Sequence, residues 1–298
     1  MGSFDFADLF AGIGGTRAAF QAQGGQCVFT CEKSEEAREA YTRNWDDKVE
    51  SNDIKDVDPE EIPDHDVLLA CWPCPSFSRI GNRTGLNDDR GSLFYHILTT
   101  LETKQPTAFF LENVKAVQHM NDGQIFETLT KSLEDVGYNI DAAVLNALDF
   151  GLPQQRERLM IIGTRTDDEL DIPTQSPDAL TTKAEQREAL EQVLVEDPRD
   201  RFVASESIQQ DRRESVENPD KVESPSVWYE NRAGNITPRP HANALRASAS
   251  WNYQLIDGRR RFPPRELLRL QGFPDDFEIN RNNESRARRL TGNSIPVP

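Results

Sequence analysis

Cys74 stands in the run Pro73-Cys74-Pro75-Ser76-Phe77-Ser78, just after an apolar segment from Asp66 to Cys71. A thiol at a strand-to-loop junction, flanked by prolines and small hydroxyls, can act as a nucleophile once it is ionised. The four histidines, His65, His96, His119 and His241, lie in no setting that suggests a thiol–imidazole dyad. Cationic neighbours can stabilise a thiolate instead, and Arg156 and Arg158 in Gln154-Gln155-Arg156-Glu157-Arg158 lead into a strand and can face the same site. The competing reading of that pair is a surface salt bridge. Glu112, in Glu112-Asn113-Val114, follows a short apolar strand, where parallel-sheet enzymes place functional groups. Its plainer alternative is a carboxylate bound to backbone amides. Cys71-Trp72-Pro73-Cys74 has redox-pair spacing, and with Cys27 and Cys31 the four sulfurs could hold zinc. Cys27 and Cys71 lie inside apolar runs and read better as small buried hydrophobes, so no metal is expected.

A second chemistry is written near the start, in Asp8-Leu9-Phe10-Ala11-Gly12-Ile13-Gly14-Gly15. Gly12, Gly14 and Gly15 follow a strand and open a helix, allowing a tight turn, close approach of a ligand and a favourable helix N-terminus. The spacing is Gly-x-Gly-Gly rather than Gly-x-Gly-x-x-Gly, which disfavours a pyrophosphate. Glu32, twenty residues beyond Gly12 at the end of a second strand, can accept both hydroxyls of a ribose. Asp53-Ile54, expected at the next strand end, could hold an adenine. The loop alone is compatible with a turn that binds nothing; with Glu32 it favours an adenosyl ligand.

The elements that must position these groups alternate along the chain. Phe4 to Phe10, Gln26 to Cys31, Asp66 to Cys71, Ala108 to Leu111 and Leu159 to Gly163 read as strands. Thr16 to Gln23, Glu35 to Trp45, Ser92 to Thr103 and Ile125 to Val136 read as helices. This alternation predicts an α/β domain on a mainly parallel sheet. After Thr164 the chain turns polar, acidic and Pro-punctuated, with one helix near Lys183 to Val195, and 228–258 reads as loop. Pro263-Pro264-Arg265-Glu266 then opens another helix. The expected organisation is a domain over 1–165, an inserted domain over 166–258, and a return to the first over 259–298.

The 298 residues suffice for one large domain and a smaller one. No stretch of about 18 apolar residues is present, so no membrane span is expected. The chain enters a strand-like run at once without a charged-then-apolar leader, and four cysteines without a small-domain framework favour a reducing cytoplasm. The net charge of −17 argues by itself against a nucleic-acid partner. Its distribution argues otherwise: 1–227 carries 22 Lys and Arg against 44 Asp and Glu, while 228–298 carries 12 against 7. Only 8 of the 34 basic residues are Lys; an acid-rich, Arg-over-Lys composition suggests a halophilic source.

These segments, in this order, resemble the S-adenosylmethionine-dependent DNA (cytosine-5) methyltransferases. The likeness rests on Asp8 to Gly15, Pro73-Cys74, Glu112-Asn113-Val114, Gln154 to Arg158, Arg265 to Pro274 and Gly292-Asn293-Ser294, and it spans 4–164 and 259–298. It implies a Rossmann-like methyltransferase fold with helices on both sheet faces, plus a smaller, irregular target-recognition domain in 166–258. By this resemblance Cys74 adds to C6 of a flipped-out cytosine, Glu112 contacts N3 and the exocyclic amine, and Arg158, supported by Arg156, holds the base. Phe10, Gly12, Gly14, Gly15, Glu32, Asp53, Ile54, Pro73, Leu93 and Asn293 are the cofactor-pocket residues. Ser78, Arg79 and Arg83, on a loop that closes over the base, and Arg232, Arg239 and Arg246 are candidate DNA contacts. Duplex DNA is the expected partner, with a cognate restriction endonuclease as a further one, and the protein is expected to act as a monomer in the cytoplasm. A catalytically silent DNA-binding relative and an RNA cytosine-5 methyltransferase are the alternatives. Relatives continue into a helix after Gly-Asn-Ser, so with the sequence ending at Pro298 a missing C-terminal helix is expected.

Overall fold

Strand and helix alternate from the first described residue. A computed structural model describes the chain except residues 1–2, 46–48, 52, 74–91, 167–169, 197, 251 and 280–282. The elements of the first part are β1 (Phe4–Leu9), α1 (Gly15–Ala22), β2 (Gly25–Cys31), α2 (Glu35–Tyr41), β3 (Val67–Cys71), α3 (Ser92–Lys104), β4 (Ala108–Val114), α4 (Gln124–Asp135) and β5 (Asn139–Asn146). They are followed by β6 (Gln154–Gln155) and β7 (Glu157–Thr164). Six of the strands form one sheet in the order β2-β1-β3-β4-β7-β5. The pairings β1–β2, β1–β3 and β3–β4 are parallel, and β4–β7 is antiparallel.

The strand period of two sends alternate residues to opposite faces. On one face Phe4, Phe6 and Phe110 meet Phe20 of α1, with ring centroids 5.7–6.4 Å apart. On the other, Ala7, Leu9, Leu68, Ala70, Phe109 and Leu111 join Phe94, Ile97 and Leu101 of α3 and Ile125, Leu129 and Leu133 of α4 in the main core. Helices therefore cover both faces. The register also puts Asp8, Leu69, Phe110 and Ile162 in one row across β1, β3, β4 and β7, with Cys71, Glu112 and Met160 in the next. Asp8, Cys71, Glu112 and Arg158 thus share the α1 face. Because the first four strands of the order run parallel, the turn after β1, Glu32 after β2, Pro73 after β3 and Glu112 near the end of β4 lie along one sheet edge. Antiparallel β7 brings its start, with Arg158, to that same edge.

The chain divides into two compact units, 1–145 with 157–174, and 146–156 with 175–298. The second contains β6, α5 (Lys183–Val193), α6 (Glu206–Glu214), β8 (Val227–Glu230), β9 (Ile236–Arg239), β10 (Ala242–Asn243), β11 (Gln254–Ile256), α7 (Pro264–Leu270) and α8 (Glu284–Asn293). Strands β11-β8-β9 form an antiparallel sheet and β10 pairs in parallel with β6. Its core gathers Leu190, Val193, Val227, Ala242, Leu245, Ile256, Phe262, Leu267 and Leu270. Buried Glu266 receives two hydrogen bonds from Arg260, at 2.8 and 2.9 Å.

Several local expectations are corrected. Residues 228–258 contain short strands, because Val227, Trp228 and Leu255 bury against a common core. Strand β5 and helices α6 and α8 were not read from the sequence; β5 is half-buried at most positions and α6 buries only Arg212, so neither carries a clear apolar period. Asp53 does not end a strand but caps a 3-10 turn, Ile54–Asp56. Among the described residues no helix is long and apolar enough to cross a membrane.

Candidate active site

The turn after β1 takes left-handed backbone at Phe10, Gly12 and Gly14, with φ of 61°, 59° and 88°. Gly14 N donates to Ala11 O at 2.8 Å, and Gly14 then opens α1. The two glycines face different surroundings. A methyl group at Gly12 would meet nothing within 4 Å, whereas one at Gly14 would land 2.3 Å from the Trp45 ring. The turn is open on one side and backed on the other, as a ligand cradle requires.

Glu32, just beyond β2, accepts from Gly12 N at 2.8 Å through Oε2 and from Ser34 N at 2.6 Å through Oε1. Each carboxylate oxygen retains acceptor capacity for a ribose hydroxyl. Burial pushes the Glu32 carboxyl above its ordinary range, and the two backbone donors pull it back. Asp53 pairs with Lys33 Nζ at 2.5 Å, which holds its carboxyl below the ordinary range. Ile54 and half-buried Leu93 belong to the main core or pack against it, and Pro73 is exposed. These residues, with Phe10, Gly14 and Gly15, all lie in the first unit. They fit an adenosyl group: an open glycine cradle, a carboxylate for a ribose and an apolar wall. Asn293 ends α8 in the second unit and is exposed.

Glu112 and Arg158 form an ion pair, Nε to Oε1 at 2.8 Å, with both side chains largely buried. Glu112 is thus a paired acid. Beside it, burial first and then the Glu112 charge push the Cys71 thiol well above its ordinary value, which suits an inert thiol. Asn113 donates from Nδ2 to Trp72 O at 3.1 Å, tying β4 to the backbone next to Pro73. Cys74, Ser78, Arg79 and Arg83 lie outside the described residues.

Arg156, read from the sequence together with Arg158, has partners of its own. It belongs to the second unit and is buried, its guanidinium donating to Leu245 O at 2.9 Å, Gly292 O at 3.1 Å and Ser294 O at 2.6 Å. It is a buried clamp on backbone carbonyls rather than a member of a surface ion pair. Of the candidate DNA contacts, Arg232 is exposed in the β8–β9 turn. Arg239 lies over the Tyr229 ring and donates to Gln155 Oε1 at 2.6 Å, and Arg246 lies over the Tyr253 ring.

The sequence reading missed Asp8, Arg17, Tyr41 and Trp45. Asp8 is fully buried, accepts from Thr16 Oγ1 at 2.7 Å, and is pushed up to about 7 by burial, with Thr16 and Arg17 opposing. A carboxylate inside an apolar strand run was the available signal.

The sequence model of the family described as C-5 cytosine-specific DNA methylase matches residues 4–298. The chain is 43% identical to the Type II methyltransferase M.NgoBI of Neisseria gonorrhoeae, over 98% of this chain and 89% of that protein. It is 41% identical to the Type II methyltransferase M.HaeII of Haemophilus aegyptius, over 100% of this chain and 91% of that protein. The fold is similar to that of the Entamoeba histolytica methyltransferase EhMeth, with a TM-score of 0.73 at 16% identity, covering 100% of this chain and 95% of the other. The methyl donor of this family is S-adenosylmethionine. The chain belongs to the C-5 cytosine-specific DNA methylase family and is a DNA (cytosine-5) methyltransferase.

Proposed function

We propose that this enzyme works through a transient bond between Cys74 Sγ and C6 of a target cytosine turned out of the duplex, with Glu112 and Arg158 receiving the base. The observation that carries this reading is the Glu112–Arg158 pair at 2.8 Å, on the sheet edge where β3 leads toward Cys74. Stacking in a duplex blocks access to C6, so the base must leave the helix, at a cost of a few kcal/mol. The Cys74 thiolate then forms the S–C6 bond while the C5=C6 π electrons move toward C5 and the ring. Glu112 delivers a proton to N3 and accepts from the exocyclic amine, which neutralises the charge that develops there. Arg158 holds the Glu112 carboxyl in place. S-adenosylmethionine, when bound by the glycine turn, Glu32 and the Asp53–Ile54 segment, supplies an electrophilic methyl group for C5. Once C5 carries the methyl group and S-adenosylhomocysteine is left, N3 returns its proton to Glu112, a solvent water takes the C5 proton, and the C–H electron pair restores the C5=C6 bond as Cys74 leaves as thiolate.

Residues 166–258 read the duplex, with Arg232, Arg239 and Arg246 as contacts. The Type II names of the relatives support a restriction-modification setting. In that setting we propose a monomeric methylase in the cytoplasm that protects the site a cognate endonuclease cuts. The test is methyl transfer from labelled cofactor to duplex DNA. Label should appear as 5-methylcytosine, Cys74→Ser should abolish it, and DNA carrying 5-fluorocytosine should trap the wild-type protein covalently. Label on adenine, or a Cys74→Ser variant with wild-type turnover, refutes the mechanism.

A further inference from the structure

The glycine turn is gripped from two sides, one of them the Glu32 bond to Gly12 N. The other begins at Trp45, beyond the end of α2, whose ring leaves no room for a side chain at Gly14. The Trp45 and Tyr41 rings lie 4.7 Å apart at 40°. The Arg17 guanidinium lies over both, 5.4 Å from the Tyr41 centroid and 5.2 Å from that of Trp45. Arg17 sits in the first turn of α1, where a positive charge opposes the helix dipole, so this arrangement needs compensation. The two ring faces supply it, as does the bond from Arg17 Nη1 to Tyr41 Oη at 2.8 Å. Tyr41 Oη also meets Thr30 Oγ1 on β2 at 2.9 Å. A continuous stack thus joins Gly14, α1, α2 and β2.

We propose that Trp45 is a positioning residue for S-adenosylmethionine: its ring holds the left-handed turn at Gly14 so that the open Gly12 face keeps the shape that receives the cofactor. The inference rests on the reading of Gly12 and Glu32 as the cofactor site. Without the ring, Gly14 gains room, Arg17 loses one of its two faces, and the turn samples backbone states that close the cradle.

The test compares wild type with Trp45→Ala, Trp45→Leu, Trp45→Phe and Glu32→Gln in the full chain. Affinity for S-adenosylhomocysteine is measured by calorimetry, beside steady-state kinetics. Trp45→Ala should weaken S-adenosylhomocysteine binding and raise the KM for S-adenosylmethionine by about tenfold. Its kcat and its KM for DNA should stay within about twofold of wild type, the signature of lost ground-state binding. Trp45→Phe, which keeps a flat ring, should restore most of the affinity. Trp45→Leu, which fills the space without a ring face, should not, and it decides the matter if the alanine variant does not fold. Wild-type affinity in Trp45→Leu, or a loss confined to kcat, overturns the inference. If Glu32→Gln also binds as wild type, the cofactor-site reading falls with it; if Glu32→Gln alone loses binding, only the role of Trp45 falls.

Discussion

Asp8 has no exposed surface, and its Oδ1 has no hydrogen-bond partner among the described residues. Its carboxyl, near 3.8 in an unfolded chain, is raised to about 7 by burial. The folded state therefore holds a proton that the unfolded state releases between about pH 4 and 7. Stability should fall as pH rises through that window, by up to about 4 kcal/mol, and level off above it. Asp8→Asn should remove this dependence, and urea unfolding at pH 5 and pH 8 reads the difference directly. An equal slope in both proteins would mean that Asp8 titrates normally. Glu112 is predicted to act on chemistry rather than binding. Glu112→Gln should lower kcat by roughly 10²–10⁴ with S-adenosylhomocysteine affinity unchanged. Parallel loss of cofactor affinity would show that the residue shapes the cofactor site instead.

At the scale of elements, the sheet order does the assembling. Four parallel strands in succession align their carboxyl ends, and antiparallel β7 adds its start to the same edge, so residues as distant in sequence as Asp8, Glu32, Glu112 and Arg158 come to one edge of the sheet. Arg156 works at this scale too. With three backbone carbonyls on one buried guanidinium, Arg156→Lys keeps the charge but loses the planar fork. It should destabilise the protein by about 2–4 kcal/mol, seen as a lower Tm, because buried carbonyls lose their donors. The activity of the folded fraction should be affected far less, and a normal Tm with abolished turnover would restore Arg156 to the active site. Sequence patterns reached the strands and helices of the first unit because their apolar residues recur with a clear period, as in α3 and α4. They missed β5 and α6, whose residues are half-buried or polar, and α8, whose buried face is Ala287, Leu290, Thr291 and Gly292 amid arginines. A short amphipathic face of that kind becomes apparent only when a core is present to cover it.

Across the whole molecule, −17 charges on 298 residues repel one another in the folded state. Screening shortens from about 10 Å at 0.1 M salt to about 3 Å at 1 M, so added KCl should raise Tm over that range. A Tm that falls with salt would show that specific ion pairs, such as Arg212–Glu230, outweigh the general repulsion. If the acid-rich composition reflects a source rich in salt, DNA binding should weaken with salt less steeply than it does for relatives from dilute media, because base contacts and shape must then carry more of the affinity than phosphate contacts do. A plot of log affinity against log salt tests this, and a slope as steep as theirs would contradict it. The glycine turn, the Pro-Cys run, Glu112 and the Arg pair each have a plainer use, and it was their order along the chain, with the two later segments, that was enough to identify the family. Pairing Glu112 with Arg158, sending Arg156 to three carbonyls in the second unit and backing Gly14 with Trp45 were decided by tertiary structure alone. Partners separated by tens of residues meet through strand register and packing, and neither is encoded in the local spacing of the chain.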